Sequence, residues 1–239
     1  MRISRIYIAE FSEGLHTPSE DIQHYLMRVL RLKHGRVIEV FDGSDHVAKA
    51  TVLHIDRRHC QLQIDAINHQ SVESPLHTHL ALAISKGDRF DYAVQKATEL
   101  GVSEITPVIT EYSESIDAKR LTQKVEHWQK IAISACEQCA RNTIPRIHSP
   151  ISIDQLLEDP DLPDLKLVLH HRSQFTLNSA TAHNAVMILI GPEGGLAANE
   201  ISLAVEKGFT EWTIGPRVMR TETAPVVALT LLQSALGDF

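Results

Sequence analysis

Two glycine-rich segments near the carboxyl end of the chain have the residue types of ligand-binding loops. The first, residues 190–195, reads I-G-P-E-G-G and lies between an apolar run and a helical pattern. Glycine permits positive φ angles and lets backbone amides approach a ligand closely, so this loop could bind a small molecule. The same residues could equally form a tight strand-to-helix turn, and the pattern alone does not identify a ligand.

The second segment, residues 214–224, reads I-G-P-R-V-M-R-T-E-T-A and also follows an apolar run. Thr221 or Thr223 could cap the helix that follows, and Glu222 would be favourable near the positive end of that helix. Arg220 has no comparable structural role. Its guanidinium, next to a glycine turn and a glutamate, could orient an anionic or carbonyl group.

Other known binding patterns are missing from the sequence or poorly matched. Neither the phosphate-loop pattern G-x-x-x-x-G-K-[ST] nor the dinucleotide pattern G-x-G-x-x-G occurs in the sequence. The hypothesis that the protein binds ATP or NAD therefore loses its main support. Cys136 and Cys139 have the spacing of half a zinc site or a redox pair, but they lie in a helical pattern and no second such pair exists. We therefore expect no metal site, and we expect His77 and His79 to have structural roles.

Charge and composition restrict the class of protein. The chain has 239 residues, with 23 Lys and Arg against 30 Asp and Glu, a net charge of -7. This balance argues against a protein that coats nucleic acid through net charge alone. The 43% hydrophobic content argues against disorder, and no run approaches the ~20 apolar residues of a membrane span. Three cysteines and the absence of an apolar signal segment predict a cytoplasmic protein that needs neither disulfides nor a membrane.

Basic residues are nevertheless concentrated in one stretch. Residues 24–36 read H-Y-L-M-R-V-L-R-L-K-H-G-R, which includes Arg28, Arg31 and Lys33 and no acidic residue. A positive ridge of this kind could contact phosphates. Lys86 and Arg89 lie in the segment K-G-D-R, where they are either further phosphate contacts or simply solvated side chains.

The elements that position these segments divide into two groups. The first seventy residues alternate short β-type runs with turns, and only the stretch 23–32 has helical spacing. The β-type runs are 5–9, 37–41, 48–55 and 60–66. This pattern predicts a small β-barrel in residues 1–70, with a polar linker at residues 68–75.

After the linker the pattern changes to longer alternating strands and helices. The predicted strands are 79–85, 105–109, 165–170, 185–190 and 211–215. The predicted helices are 88–100, 118–141, 197–207 and 223–236. Near-continuous apolar strands are typical of burial on both faces, so the pattern predicts a parallel α/β sheet over residues 75–239. Both glycine segments begin at the carboxyl ends of its strands, where such sheets bind ligands.

Five segments, in their order along the chain, resemble the ribosomal RNA small subunit methyltransferase E family. They are H-Y-L-M-R-V-L-R-L-K-H-G (24–35), K-G-D-R-F-D-Y-A-V-Q-K-A-T-E-L-G-V (86–102), A-C-E-Q-C-A-R-N (135–142), I-G-P-E-G-G (190–195) and G-P-R-V-M-R-T-E-T-A (215–224). Members of that family belong to the knotted SPOUT superfamily and methylate N3 of uridine in 16S rRNA. The five segments together are far more specific than any one of them.

The resemblance implies a fold, a cofactor and partners. Residues 1–70 would form a PUA-like RNA-binding β-barrel, and residues 75–239 a SPOUT α/β domain with a deep trefoil knot. S-adenosylmethionine would bind in the knot, held by loops at 169–172, 190–195 and 214–224. The partners would be 16S rRNA within the assembled 30S subunit and a second copy of the chain in a homodimer.

The resemblance and the residue chemistry together give the candidate site. For catalysis we expect Arg220 at the uracil carbonyls and Glu222 or Glu193 at the N3 proton, because N3 is a weakly acidic imide. The expected cofactor-binding residues lie in the three loops: Leu169, His170, Ile190, Gly191, Pro192, Gly194, Gly195, Ile214, Gly215, Val218, Met219, Arg220, Thr223 and Ala224. The expected RNA-binding residues are cations: Arg2, Arg5, Arg28, Arg31, Lys33, Lys86, Arg89 and Arg141.

Three alternatives stay open. A non-catalytic RNA-binding or ribosome-assembly protein could keep the barrel without methyl transfer, although the intact glycine segments favour an enzyme. A related SPOUT enzyme could modify another base or a tRNA. A small-molecule α/β hydrolase or nucleotide enzyme has less support, because the sequence lacks a nucleophile elbow, a metal cluster and a phosphate loop.

Overall fold

The computed structural model describes residues 3–56, 59–170 and 183–239. The expectations for Arg2 and for loop residues 171–172 fall outside these ranges. Contacts divide the chain into two compact units. The first contains Met1–Glu73 and Cys136–Ile144, and the second contains Ser74–Ala135 and Pro145–Phe239.

The first unit is built on a six-stranded sheet with the order β1-β3-β4-β5-β2, in which β6 pairs with β4. The strands are β1 (Arg5–Tyr7), β2 (Gly14–His16), β3 (Val37–Phe41), β4 (His46–Ile55), β5 (Cys60–Ile64) and β6 (Asn68–His69). Alternating apolar residues point into one core, to which Leu26 of the helical segment also contributes. The predicted strand 37–41 matches β3, whereas β2 was not predicted because three residues are too few to show alternation.

The helical segment of the first unit begins and ends earlier than the predicted 23–32. Helix α1 (Glu20–His24) continues into a π-helical turn at Tyr25–Val29. The prediction placed its end at residue 32, and this is wrong because Arg31 has φ +50°, a left-handed conformation that no helix continues through. Arg28 therefore lies on the last turn and Arg31 just beyond it, and both side chains are exposed.

The segment Cys136–Ile144 completes the first unit. Arg5 Nη2 donates to the carbonyl oxygen of Arg141 at 3.0 Å and to Asn142 Oδ1 at 2.6 Å. The backbone amide of Tyr7 donates to Glu137 Oε1 at 3.0 Å. Because the segment provides acceptors for β1, its residues belong to the same folded body as the first strand.

The second unit is a seven-stranded sheet with the order β10-β8-β7-β12-β11-β13, in which β9 pairs with β8. Its strands are β7 (His77–Ala83), β8 (Glu104–Ile109), β9 (Arg146–Ile147), β10 (Ile151–Ser152), β11 (Leu165–Leu169), β12 (Ala185–Ile190) and β13 (Thr210–Trp212). Its helices are α2 (Arg89–Glu99), α3 (Ala118–Cys139), α4 (Ile153–Leu157), α5 (Ala198–Glu206) and α6 (Thr223–Leu236), with the end of α3 assigned to the first unit. All strand pairs in this sheet are parallel, so the predicted parallel α/β class is confirmed.

The sheet order brings three loops to one place. Strand β11 lies between β12 and β13, and the three are parallel. Their carboxyl ends, Leu169, Ile190 and Trp212, therefore meet at the same edge of the sheet. Whether the chain is knotted depends on its whole path, which includes residues outside the described ranges, so the trefoil knot stays a prediction.

None of the described helices is long and apolar enough to cross a membrane.

Candidate functional site

A cavity of about 550 Å³ opens at the carboxyl edge of β11, β12 and β13. This volume is in the range of pockets that bind small molecules, roughly 300 to 1,000 Å³. The lining residues come mainly from the three loops that follow these strands: Arg89, Leu169, His170, Ile190, Gly191, Pro192, Glu193, Gly195, Leu196, Trp212, Thr213, Ile214, Gly215, Arg217, Val218, Met219, Arg220, Thr221, Glu222 and Ala224.

The structure brings nearly all of the expected cofactor-binding residues together around this cavity. The two exceptions are Gly194 and Thr223. Gly194 packs instead against Tyr112, whose Cβ would lie 3.0 Å from a Cβ at position 194. Thr223 is the first residue of α6 and donates its backbone amide to the carbonyl oxygen of Arg220 at 2.9 Å.

Five lining residues were not among the expected ones: Leu196, Trp212, Thr213, Arg217 and Thr221. Trp212 and Thr213 lie where β13 ends, since this strand stops at Trp212, three residues before the predicted end at 215. Thr221 was considered only as a helix cap. The sequence signal that could have identified all five is their position within or next to the glycine segments.

The first glycine loop needs glycine at position 191 for steric reasons. A Cβ on Gly191 would lie 2.8 Å from both the carbonyl carbon of Gly195 and the amide nitrogen of Leu196. Gly195 has φ +75° and donates its amide to the carbonyl oxygen of Pro192 at 2.9 Å, which closes the turn. The loop backbone is therefore packed on itself, and its outer surface forms one wall of the cavity.

Side-chain hydrogen bonds connect the three loops. Thr221 Oγ1 donates to the carbonyl oxygen of Gly191 at 3.0 Å, which joins the second glycine segment to the first. Thr213 Oγ1 donates to the carbonyl oxygen of His170 at 2.6 Å. The His170 ring is in turn 3.1 Å from Glu211 Oε2. These bonds fix the loops relative to one another, so the cavity has a preformed shape.

Two glutamates and one arginine form a charged cluster at the cavity. Arg89 Nη1 donates to Glu193 Oε1, and Arg89 Nε lies 3.8 Å from Glu222 Oε2. Burial raises the pKa of Glu193, but hydrogen bonds from its own backbone amide, from Arg89 and from the Lys86 amide outweigh that effect and leave the pKa lowered. Glu193 is therefore ionised at neutral pH and is a poor proton acceptor.

Glu222 differs from Glu193 in its hydrogen bonding. Its Oε2 atom is buried, and within the described parts of the chain it has no hydrogen-bond partner. A buried acceptor without a donor is costly, so a ligand that brings a donor would be favoured at this position. Arg220 is exposed at the same cavity and forms no ion pair with any described residue.

The expected RNA-binding cations fall into two groups. Arg28, Arg31, Lys33 and Lys86 are exposed, and so is Arg89, which is paired with Glu193. Arg5 and Arg141, in contrast, have side-chain exposures of only 11% and 6%.

These two arginines are paired with carboxylates of their own unit. Arg5 lies 2.8 Å from Glu39, and Arg141 Nε donates to Glu73 at 3.0 Å. Their charges are compensated within the protein, so this geometry does not favour phosphate binding by Arg5 or Arg141.

The first cysteine of the pair in α3 is poorly suited to metal binding or redox chemistry. Cys136 is buried, and this burial raises the pKa of its thiol to about 12. Because the thiolate is the form that binds metals and exchanges disulfides, Cys136 is inert at neutral pH.

Comparisons with known proteins identify the family. A profile of the RNA methyltransferase domain matches residues 72–233, and a profile of the RNA methyltransferase PUA domain matches residues 18–65. Ribosomal RNA small subunit methyltransferase E of Buchnera aphidicola (subsp. Acyrthosiphon pisum) is 36% identical over 243 residues, covering 100% of this chain and 96% of the relative. The chain belongs to the ribosomal RNA small subunit methyltransferase E family. The resemblance seen in the sequence is thereby confirmed.

Two solved structures have the same fold as this chain. Ribosomal RNA small subunit methyltransferase E from Neisseria gonorrhoeae, bound to S-adenosylmethionine, gives a TM-score of 0.91 at 34% identity, with 100% of both chains covered. A methyltransferase from Legionella pneumophila, also in complex with that cofactor, gives 0.95 at 38% identity, again with 100% of both chains covered. These matches confirm the PUA-like amino-terminal unit and the methyltransferase class of the α/β unit.

Proposed function

We propose that this chain transfers a methyl group from S-adenosylmethionine to N3 of a specific uridine in 16S rRNA of the small ribosomal subunit. The observation that carries the proposal is the preformed cavity where the three loops meet, in a chain of the methyltransferase E family. Cavities at the carboxyl edge of parallel strands are the usual ligand sites of open α/β sheets.

The residues of the cavity fit S-adenosylmethionine chemically. The cofactor has an adenine and a ribose, which need apolar walls and backbone hydrogen-bonding groups, and a cationic sulfonium and ammonium. Leu169, Ile190 and Ile214 supply apolar wall, and the glycine loop exposes backbone. The buried Oε2 of Glu222 is an acceptor without a donor, which the N3–H group of a uracil beside the cofactor's methyl group would satisfy.

The catalytic roles divide between a cation and a carboxylate. When bound, the cofactor supplies an activated methyl group on sulfur. We assign Arg220 to the uracil carbonyls, where its guanidinium would stabilise the negative charge that develops as N3 reacts. We assign Glu222 to acceptance of the N3 proton. Its Oε2 atom has none of the hydrogen bonds that lower the pKa of Glu193 and make that carboxylate a weaker base. Glu193, held by Arg89, then acts as a positioning residue at the cavity entrance.

RNA binding is assigned to the exposed cations. Arg28, Arg31 and Lys33 lie close together in sequence on the first unit, and Lys86 precedes α2 on the second. We propose that these cations contact phosphates and that Arg5 and Arg141, which are paired with carboxylates, stabilise the fold.

We also propose that residues 1–70 form a PUA-like barrel and residues 75–239 a knotted domain. The chain would form a homodimer and act in the cytoplasm on the assembled 30S subunit.

The test is methyl transfer to ribosomal RNA that lacks the modification. Tritiated S-adenosylmethionine is supplied with 30S subunits, and in parallel with naked 16S rRNA, followed by nucleoside mass spectrometry. We expect one N3-methyluridine per subunit, with 30S preferred over naked RNA and with no product from Arg220→Ala. Methylation of another base or of tRNA would overturn the substrate assignment, and a variant Arg220→Ala with full turnover would overturn the catalytic one.

A non-catalytic role in ribosome assembly is the main alternative. It predicts RNA binding without any transfer, even when the cofactor is bound. The same assay separates the two, because incorporation of tritium into RNA has no other source.

A further inference from the structure

A second group of polar side chains lies at the opposite edge of the parallel sheet, near the amino ends of β7 and β8. His77 and His79 are two residues apart on β7 and therefore face the same side of the sheet. His79 is paired with Glu104 of β8, and Glu104 is paired with Arg146 of β9. His148, two residues beyond Arg146, extends the same face. The register thus places three histidines and one glutamate on one surface.

The side chains of this group are close enough to share a ligand. One ligand atom each from His79, Glu104 and His148 lies within 4.8 Å of the other two. His148 Nε2 is hydrogen-bonded to Glu104 Oε2, and His77 Nε2 lies 3.2 Å from Glu104 Oε1. The rings of His79 and His148 have their centroids 5.5 Å apart. The cluster is therefore assembled from separate chain segments before any ligand arrives.

We propose that His79, Glu104 and His148 bind a zinc ion, with a water molecule or His77 in the fourth position. Two imidazoles and one carboxylate form a known tetrahedral ligand set for Zn²⁺. Atoms bound to one zinc at about 2.0 to 2.1 Å are roughly 3.4 Å apart, so small side-chain rotations from the observed arrangement suffice. The proposal is independent of the methyl-transfer function.

Three features of the surroundings suit a metal ion. His79 Nε2 is 2.7 Å from Thr106 Oγ1, and a hydrogen bond of this kind orients a coordinating imidazole. The carboxylate of Asp159 adds negative charge near His79. The His79 ring stacks on the His148 ring, with an angle of 29° between the ring planes, so the two imidazoles are held side by side.

Sequence inspection did not predict this site because its members are distant in the chain. Short zinc motifs place two ligands within about five residues of each other. Here the three ligands are His79, Glu104 and His148, and only the pairing of β7 with β8 and of β8 with β9 brings them together. A bound ion would connect three adjacent segments of the sheet and would stabilise the second unit.

The experiment is a metal titration of the full-length, chelator-treated protein. We expect one Zn²⁺ per chain by calorimetry and elemental analysis, and a rise in Tm when ZnCl₂ is added. Co²⁺ in place of Zn²⁺ should give the intense visible absorption of tetrahedral coordination. His148→Gln and Glu104→Gln should each weaken Zn²⁺ binding at least about tenfold.

His127→Gln is the matched control. His127 Nε2 lies 2.6 Å from Asp91 Oδ2, so it is another histidine paired with a carboxylate in the same unit, outside the cluster. Its variant should bind Zn²⁺ like the unmodified protein.

Several outcomes would overturn the zinc proposal. They are the absence of stoichiometric Zn²⁺ binding, equal affinity in the His148→Gln and Glu104→Gln variants, and equal loss in His127→Gln. The Co²⁺ spectrum of the unmodified chain tests the geometry even if a variant fails to fold. A faint, octahedral-type spectrum would also overturn the proposal.

Discussion

Thr221 Oγ1 donates a hydrogen bond to the carbonyl oxygen of Gly191 at 3.0 Å and so ties together the two glycine loops of the cavity. The two residues are thirty positions apart, and Thr221 is buried. Both residues line the cavity, so loss of the bond would let the two loops separate.

Replacing Thr221 by valine should weaken cofactor binding. Valine keeps the shape but leaves the Gly191 carbonyl without its donor, which costs about 1 to 2 kcal/mol. We expect the Kd for S-adenosylmethionine, measured by calorimetry, to rise roughly 5- to 30-fold at that cost. Thr221→Ser keeps the hydroxyl and is the matched control. Unchanged affinity in Thr221→Val would show that the loops keep their places without this bond.

Replacing Gly191 by alanine should damage the first loop more than the same change at Gly195. The new Cβ at 191 would overlap backbone atoms at 2.8 Å, whereas the space at Gly195 is open within 4 Å. Gly195→Ala carries only the strain of its positive φ, about 1 to 2 kcal/mol. We expect Gly191→Ala to lose cofactor binding by calorimetry and Gly195→Ala to retain most of it. The reverse order would contradict the packing described for this loop.

Glu222→Gln should lower kcat more than Glu193→Gln. Removal of a general base costs about 10²- to 10⁴-fold in rate. Hydrogen bonds from Arg89 and the Lys86 amide help to lower the pKa of Glu193, which makes that carboxylate a weak base. Single-turnover methyl transfer at saturating cofactor measures the chemical step. If Glu193→Gln is the slower variant, the two roles must be exchanged.

Charge reversal at Arg28 or Arg31 should weaken RNA binding and its dependence on salt. Each phosphate contact that is lost lowers the slope of log K against log salt by about 0.7 to 0.9. Arg28→Glu and Arg31→Glu are compared singly with Lys49→Glu, which alters an exposed cation on β4 of the same unit. Filter binding across a salt series gives the slopes. Equal slopes in all three variants would show that Arg28 and Arg31 are not part of the RNA-binding surface.

Glu137→Gln should make the stability of the first unit less sensitive to rising pH. Burial raises the pKa of Glu137, outweighing the hydrogen bond from the Tyr7 amide and the charge of Arg5. A glutamate with a raised pKa contributes its full stability below its unfolded pKa and loses it as pH rises through the folded pKa. The Tm of Glu137→Gln relative to the unmodified chain should therefore increase between pH 4.5 and 7.

Glu13→Gln is the control for the pH experiment. Glu13 is exposed and accepts a hydrogen bond from the Ile67 amide at 2.9 Å, so it shares the acceptor role without the burial. Its Tm difference should lack the rise between pH 4.5 and 7 that is expected for Glu137→Gln. Parallel curves for the two variants would show that burial of Glu137 has no energetic effect.

The loops of the cavity could be predicted because each follows a buried apolar strand. Strand β12 occupies the predicted range 185–190, and α6 the predicted 223–236. Glycines at a strand end indicate close backbone packing, and Gly191 shows that packing. In contrast, the hydrogen bond from Thr221 to Gly191 could not be predicted, because no sequence periodicity relates residues that are thirty positions apart.

Burial of charged residues could not be predicted from the sequence. Arg5 and Arg141 were expected on the RNA-binding surface because isolated arginines are usually exposed. Both side chains have little exposure, and each is paired with a carboxylate: Arg5 with Glu39 and Arg141 with Glu73. Such pairing depends on the tertiary fold. The early end of the first helical segment has a similar origin, since the left-handed φ of Arg31 has no signature in residue type.

The contribution of Cys136–Ile144 to the first unit means that this unit is still incomplete when its own strands have been synthesised. A nascent chain that has emerged only as far as Glu73 contains every described strand of the first sheet but lacks Asn142 and Glu137, which accept hydrogen bonds from Arg5 and Tyr7. Those acceptors arrive only after β7, β8 and most of α3 have been translated. The amino-terminal part of the first unit must therefore wait for later residues before its hydrogen bonds are complete.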